Sequence, residues 1–379
     1  MSPRTIYFSG LNELRAIAAL AVLVHHIELY KYRDGLPSLC NVPILSNFIF
    51  TVGHNGVLLF FTLSGFLVTY LLLNEKGGPT GIQILPFYMR RILRIWPLYF
   101  ITLIIGFGLI PFLLRAFPEF FLSQRYYNGL IENIQFGVNF LLYFFFLSNL
   151  ALKTFPHVPG ATQNWSVSME EQFYLVWPWV IKYSGQFLIW ILIAIILIAN
   201  ICHSASSYIW YFTDNQFLIN FLIHFDFDFM AFGAISAIAY YRYPDQISRL
   251  FQNKIFVALL GVLIVIQMQA LGIRVLKTAS FCGIILTAIV LKFSFKPLDW
   301  LGKISYGLYM YHPLVIYVVF ASFSYFGLPR FWLNPFIYVF IPGITVAISL
   351  LSYKYIELPF LRKKDRFSTV KSGNIDLVN

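Results

Sequence analysis

Apolar residues come in runs long enough to cross a bilayer, and polar residues collect in the short stretches between them. The runs lie near 16–32, 55–73, 95–114, 136–152, 171–183, 186–201, 217–240, 255–272, 278–292, 304–324 and 335–353, eleven candidate spans. Basic residues indicate which connections face the cytoplasm. Lys76, Arg90, Arg91 and Arg94 mark the connection after the second run, and Arg242, Arg249 and Lys254 mark another. Lys292, Lys296 and Lys303 mark a third, while Lys354, Arg362, Lys363 and Lys364 place the C-terminus inside. The chain must therefore cross an even number of times between Arg94 and Arg242, yet five runs lie there. The run at 171–183 is the shortest and contains Pro178, so it is the one read as not spanning. The pattern predicts about ten transmembrane helices, both termini cytoplasmic, and a re-entrant or broken element near 155–183. Non-helical backbone at membrane depth lines a cavity, so the break marks a site.

Composition agrees. The 379 residues are 59% hydrophobic and 11% charged, with a mean hydropathy of +0.72. Soluble domains carry about 25% charged residues, so the fold class is an all-α integral membrane protein. Residues 1–361 are read as one membrane-embedded domain and 362–379, polar and without apolar period, as a disordered cytoplasmic tail. Aromatic residues make up 19%, in keeping with interfacial belts. The net charge of +11 sits in short loops and at the C-terminus, which indicates lipid headgroup contact and no nucleic acid. Cys40, Cys202 and Cys282 are scattered, without metal-ligand spacing. Leu14 to Ile27 has the look of a signal-peptide core, but cleavage would discard Arg15 and His26, so it is read as a retained first span.

Chemistry begins in that first span. Arg15 and His26 lie eleven positions apart, about three helical turns, so they share a face and stand roughly 16 Å apart along the axis. His25 is rotated by about 100° and is expected to face elsewhere. A histidine in an apolar helix needs a polar neighbour or a wet cavity, whether it is packed or functional. Ser64 and Gly65, in FFTLSGFL, suit close helix packing. Arg91 and Arg94 share a face and present two guanidinium forks that suit a phosphate, although positive-inside anchoring also accounts for them. Glu170 and Glu171 open the short run after Trp165 and Ser166. One of them can hold a histidine or act as a base, while Ser168 can instead cap a helix with Glu171 in the capping-box position. Asp226 and Asp228, near His224, either line the same cavity or sit at an interface. Ser305, Tyr309 and His312 recur at helical spacing on one face, and Glu357 is expected to be a cytoplasmic ion-pair partner.

Together these stretches resemble the acyltransferase 3 family of integral membrane O-acyltransferases. The likeness rests on Arg15 with His26, FFTLSGFL at 60–67, RRILRIWPLY at 90–99, WSVSMEEQFYLVWP at 165–178, SYGLYMYHP at 305–313 and IELPF at 356–360, in the family's order. It runs from Leu11 to Phe360. One departure is visible: members often read Leu-Asp-Gly where this chain has Leu11-Asn12-Glu13. Some members also carry a fused C-terminal hydrolase-like domain, which is not expected here.

The resemblance implies a ten-helix bundle in the cell's inner (cytoplasmic) membrane, with acyl-coenzyme A, most simply acetyl-coenzyme A, as a donor substrate and no permanently bound cofactor. His26 would be the catalytic base, with Glu170 or Glu171 orienting it. Arg15, Arg91 and Arg94 would hold the donor. Trp165, Ser166, Tyr309 and His312 are expected to contact substrate. The acceptor would be a glycan or glycolipid hydroxyl, and an acyl-histidine intermediate is a variant of the same chemistry. A transporter or flippase for a lipid-linked glycan, relaying protons through intramembrane His and Glu, is the alternative, but it lacks support from internal repeats.

Overall fold

The computed structural model describes residues 4–121, 136–155, 157–212, 215–269, 273–329, 332–368 and 370–372. A short strand, β1 (Arg4–Ile6), precedes helix α1 (Leu11–Arg33), which starts at Gly10 in the left-handed region. A Cβ at Gly10 would also lie 2.8 Å from that of Ala288, so glycine is needed there twice over. Glu13 in the first turn and Lys31 and Arg33 in the last complement the helix dipole. Next come α2 (Pro43–Lys76) and α3 (Ile84–Ile104), the latter continuing through a π-turn at Ile105–Leu109 into α4 (Ile110–Ala116). The chain then forms α5 (Pro118–Phe121), α6 (Phe136–Phe144), α7 (Ser148–Thr154) and α8 (Asn164–Tyr183). The remaining helices are α9 (Leu188–Phe212), α10 (Gln216–Ile223), α11 (Phe227–Arg242), α12 (Pro244–Gln252), α13 (Lys254–Gln269) and α14 (Arg274–Val290), then α15 (Lys296–Lys303), α16 (Ser305–Tyr325), α17 (Leu333–Ser352) and α18 (Leu358–Lys364).

The architecture is all-α and membrane-spanning. Among the described residues six helical stretches are long and apolar enough to cross a bilayer, or seven if α12 and α13, bent by 77°, count as one. Neither α1 nor α8 is among them, because each carries several charged side chains, yet both pack inside the bundle. The closest pairing is between α2 and α11, and glycines make it possible. A Cβ on Gly65 would lie 2.1 Å from the Met230 carbonyl oxygen, and one on Gly233 would lie 2.2 Å from that of Thr62. The small residue in FFTLSGFL is therefore a packing device.

The irregular backbone expected near 155–183 is found within that interval, although not in the run at 171–183. Pro178 lies inside a continuous α8, with the Tyr88 hydroxyl donating to the Leu175 carbonyl in the same turn, at 2.6 Å. Outside contacts of this kind let a helix run through a proline. The irregular backbone is instead at 157–163, just before α8. Because α8 starts at Asn164, Ser168 is in the helix interior and caps nothing; its hydroxyl lies 2.7 Å from that of Ser148. The run at 217–240 is itself interrupted between Ile223 and Phe227.

Of the stretch expected to be a tail, Arg362 to Phe367 is helical and β2 (Val370–Ser372) pairs in parallel with β1. Residues 373–379 lie outside the described ones.

Candidate active site

Three cavities adjoin one another beside α1. The first, about 120 Å³, is lined by Asn12, Arg15, Arg94, Lys303, Glu357 and Lys364. The second, about 100 Å³, has Arg15, Ser64, Arg91, Arg94, Glu170 and Tyr309 in its wall. The third, about 460 Å³, is bounded by His25, His26, His54, Gln163, Trp165 and Tyr309. Arg15 and Arg94 belong to the first two walls, and Val57 and Tyr309 to the last two, so one route passes from the cationic end to the histidines.

The second cavity is rich in uncompensated positive charge. Arg90 is neutralised by Glu75 at 2.6 Å and donates to the Phe367 carbonyl at 2.8 Å. Its neighbours on α3 are not. Arg91 lies over the Tyr174 ring at 5.4 Å, and its Nε is buried without a hydrogen-bond partner. Among the described residues no carboxylate lies within 4.0 Å of Arg91, Arg94 or Arg15. Arg15 Nη1 donates to Asn12 Oδ1 at 3.1 Å, and Asn12 Nδ2 donates to Asp299 Oδ1 at 2.9 Å. Partial burial alone would raise the Asp299 carboxyl, but hydrogen bonds from Asn12, Lys303 and Tyr7 hold it below the usual carboxylate range. Glu170 accepts from the Tyr174 hydroxyl at 2.9 Å. Three half-buried guanidinium groups facing one carboxylate suit an anionic ligand.

At the third cavity, hydrogen-bond partners fix the histidine tautomers. His312 Nδ1 lies 2.7 Å from the Tyr309 carbonyl, which can only accept, so this nitrogen carries the hydrogen. In the neutral ring its Nε2 is then an acceptor, and it faces His26 Nδ1 at 3.1 Å. His26 Nδ1 also lies 3.0 Å from the Val22 carbonyl. Both its neighbours accept, so His26 carries its hydrogen on Nδ1 and keeps the lone pair on Nε2. That nitrogen makes no hydrogen bond to the described residues. Its lone pair is available to take a proton.

The other expected residues fall out as follows. His25 does not face elsewhere: it lines the same cavity as His26, its ring 4.9 Å from that of His26, with Nδ1 3.2 Å from the Ile49 carbonyl. Its ring lies against Gly53, where a Cβ would be 2.1 Å away. His312 is 1% exposed and sits behind His26, so it has no surface for substrate and is corrected to a supporting role. The Tyr309 and Ser166 hydroxyls are 2.7 Å apart between the second and third cavities. Trp165 lines the third cavity and packs on the His224 ring at 5.2 Å. Glu171 accepts from Trp96 Nε1 at 3.0 Å, with its other oxygen buried and unpartnered. The polar contacts of His26 include neither Glu170 nor Glu171, so the expected orienting carboxylate is replaced by a second imidazole.

Asp226 and Asp228 both bind Arg274, each at 2.6 Å, which makes them an interface clasp between α11 and α14. Glu357 makes no ion pair among the described residues and lines the first cavity, with one oxygen unpartnered. Sequence reading missed Lys364, Tyr306 and Gln163. Tyr306 donates to the Ile95 carbonyl at 2.8 Å, and Gln163 reaches the Met310 carbonyl at 2.6 Å and ties the irregular 157–163 segment to α16. Tyr306 lies inside the recognised stretch at 305–313 and Gln163 just before that at 165–178, which was the available signal.

A family model described as an acyltransferase domain matches residues 8–354. Relatives include a peptidoglycan O-acetyltransferase, OatA, of Listeria monocytogenes, 25% identical over 93% of this chain and 56% of its own length. Another is the O-acetyltransferase OatA of Staphylococcus aureus, 27% identical over 96% of this chain and 58% of its own length. The chain thus spans little more than half the length of these relatives. No solved structure matches.

Proposed function

The chain belongs to the acyltransferase 3 family, and from that premise we propose that it transfers an acyl group, most simply acetyl, from acyl-coenzyme A to a hydroxyl of a cell-envelope or secreted glycan. One observation carries the reading: a cation-lined cavity abuts, across Tyr309, the cavity that holds the free Nε2 of His26. Arg91, Arg94 and Arg15 would grip the phosphates of the coenzyme, with Glu170 limiting the excess charge. The pantetheine arm would lead the thioester past Tyr309 and Ser166 to His26, a path similar to the roughly 16 Å between Arg15 and His26 along α1.

There the acceptor oxygen attacks the thioester carbonyl carbon as His26 Nε2 removes its proton. The C–S bond breaks, and the proton passes from His26 to the departing thiolate. His312 holds the tautomer that makes this possible and shares the positive charge that His26 gains, the part a carboxylate plays in many acid–base sites. The third cavity is the place for the acceptor, and the name of the Listeria relative favours a cell-wall glycan. The reading includes ten crossings of the cytoplasmic membrane with both termini inside, supported by the basic residues beside the arginine cavity.

Binding of acetyl-coenzyme A to the purified protein tests it. Micromolar binding is expected, weakened at least about 100-fold in Arg91→Ala/Arg94→Ala, because two charge-assisted contacts are lost. A wild-type protein that binds no coenzyme A would overturn the donor assignment.

A further inference from the structure

Lys364 belongs to a stretch whose positive charges were fully accounted for as topology signal, yet it is 8% exposed. It ends α18, which packs on α3 and carries the lysine into the first cavity. The same side chain borders a narrow crevice with Glu75, Arg90, Arg91 and Arg94. Glu75 is already taken by Arg90, and no carboxylate lies within 4.0 Å of the Lys364 amine among the described residues. A buried ammonium beside the uncompensated guanidinium groups of Arg91 and Arg94 is unfavourable unless an anion joins it.

The cations divide between two places. Arg91 lines only the second of the three cavities, and Lys364 only the first, beside Lys303, which Asp299 holds at 3.1 Å; Arg15 and Arg94 stand in the wall between them. The ligand that satisfies both has two separate anionic groups. A diphosphate alone has one.

We propose that Lys364, helped by Lys303, binds a second phosphate, the 3′-phosphomonoester on the adenosine of the donor, and so makes this protein select coenzyme A thioesters over those that lack it. The proposal rests on the donor reading above. Arg91 and Arg94 serve the diphosphate, and Lys364 serves the monoester. A lipid headgroup phosphate offers the same chemistry to the lysine, and the experiment separates the two.

Dissociation constants for coenzyme A and 3′-dephospho-coenzyme A are measured on the purified full chain, in wild type, Lys364→Met and Lys364→Arg. Methionine keeps the length and the apolar stem. Wild type is expected to prefer coenzyme A by about tenfold or more, the value of one charge-assisted contact. Lys364→Met should bring that ratio close to one by weakening coenzyme A alone, and Lys364→Arg should keep it. Lys303→Met, read the same way, supplies a second variant if Lys364→Met does not fold. Equal loss for both ligands, an unchanged ratio, or a wild-type ratio of one would overturn the assignment while leaving the donor reading intact. Loss of co-purifying anionic lipid with the ratio unchanged would give Lys364 to a headgroup instead and also overturn it. Wild-type protein that binds neither nucleotide would overturn the donor reading and this inference with it.

Discussion

His312 Nε2 lies 3.1 Å from His26 Nδ1, and together with the Val22 carbonyl, 3.0 Å from the same nitrogen, it leaves Nε2 as the basic nitrogen of His26. Because His312 gives its own Nδ1 hydrogen to the Tyr309 carbonyl, it can only accept from His26 while both rings are neutral. A glutamine at 312 can also accept, through its amide oxygen; an alanine cannot. His312→Ala is expected to lower kcat by about 10- to 100-fold, the usual scale for groups that orient a reacting histidine, with little change in KM for the donor. His312→Gln should recover much of the loss. Nitrogen NMR of labelled histidine reads the tautomer directly: in wild type His26 should be protonated at Nδ1, and in His312→Ala, where the Val22 carbonyl alone still accepts from Nδ1, the second tautomer should gain population. An unmixed tautomer with reduced kcat would show that His312 acts otherwise.

His26→Ala removes the base but touches neither cationic cavity. Turnover should fall by about 10²–10⁴-fold, the range for a positioned general base. Donor affinity should hold within about twofold of wild type, a difference well below 1 kcal/mol. Calorimetric titration of coenzyme A into the variant checks this. Lost binding would mean that the cavities are not the separate compartments that their walls indicate.

Asn12, where this chain departs from the Leu-Asp-Gly pattern of the family it resembles, lies between Asp299 and Arg15. Its amide donates to the Asp299 carboxylate at 2.9 Å while its carbonyl accepts from Arg15. In Asn12→Asp two carboxylates would meet at that distance and could not both ionise. One would bind its proton more tightly in the folded state, so the damage is present at neutral pH and fades as pH falls through that raised value. Each unit of the rise costs about 1.4 kcal/mol. Thermal melts at pH 7 and pH 5 should show the loss shrinking, and Asp299→Asn in the same chain should restore stability at pH 7. A pH-independent loss would contradict the account.

Arg274 bridges Asp226 and Asp228, each at 2.6 Å and both nearly inaccessible. Removing the arginine leaves two buried carboxylates unmatched, so Arg274→Ala is expected to cost about 3–5 kcal/mol of stability. Coenzyme A affinity in protein that remains folded should not change. A variant of wild-type stability would show that the clasp is solvated.

The membrane class, the helical face shared by Arg15 and His26, and the neighbouring forks of Arg91 and Arg94 were legible in the chain itself. All three are local properties: a long apolar run must satisfy its backbone as a helix, and a period of 3.6 sets which side chains point together. Irregular backbone ahead of Glu170 was legible too, since 157–163 falls within the expected 155–183; the run at 171–183 was the misreading, because a proline inside α8 looks like a break until neighbouring side chains are seen.

What each face meets belonged to the tertiary structure. His312 shares a periodic face with Tyr309, but only the packing of α16 on α1, with 286 positions separating His312 from His26, puts it behind His26 and not in the cavity. Glu171 is drawn to Trp96 by the packing of α3, which the periodicity of α8 cannot name, while Glu170 accepts from Tyr174 one turn along α8 itself, and neither reaches His26. Lys364 reads as a membrane anchor in sequence and lies buried among arginines in the fold. Periodicity assigns side chains to faces; only packing determines which charges are left without a partner, and those charges define the site.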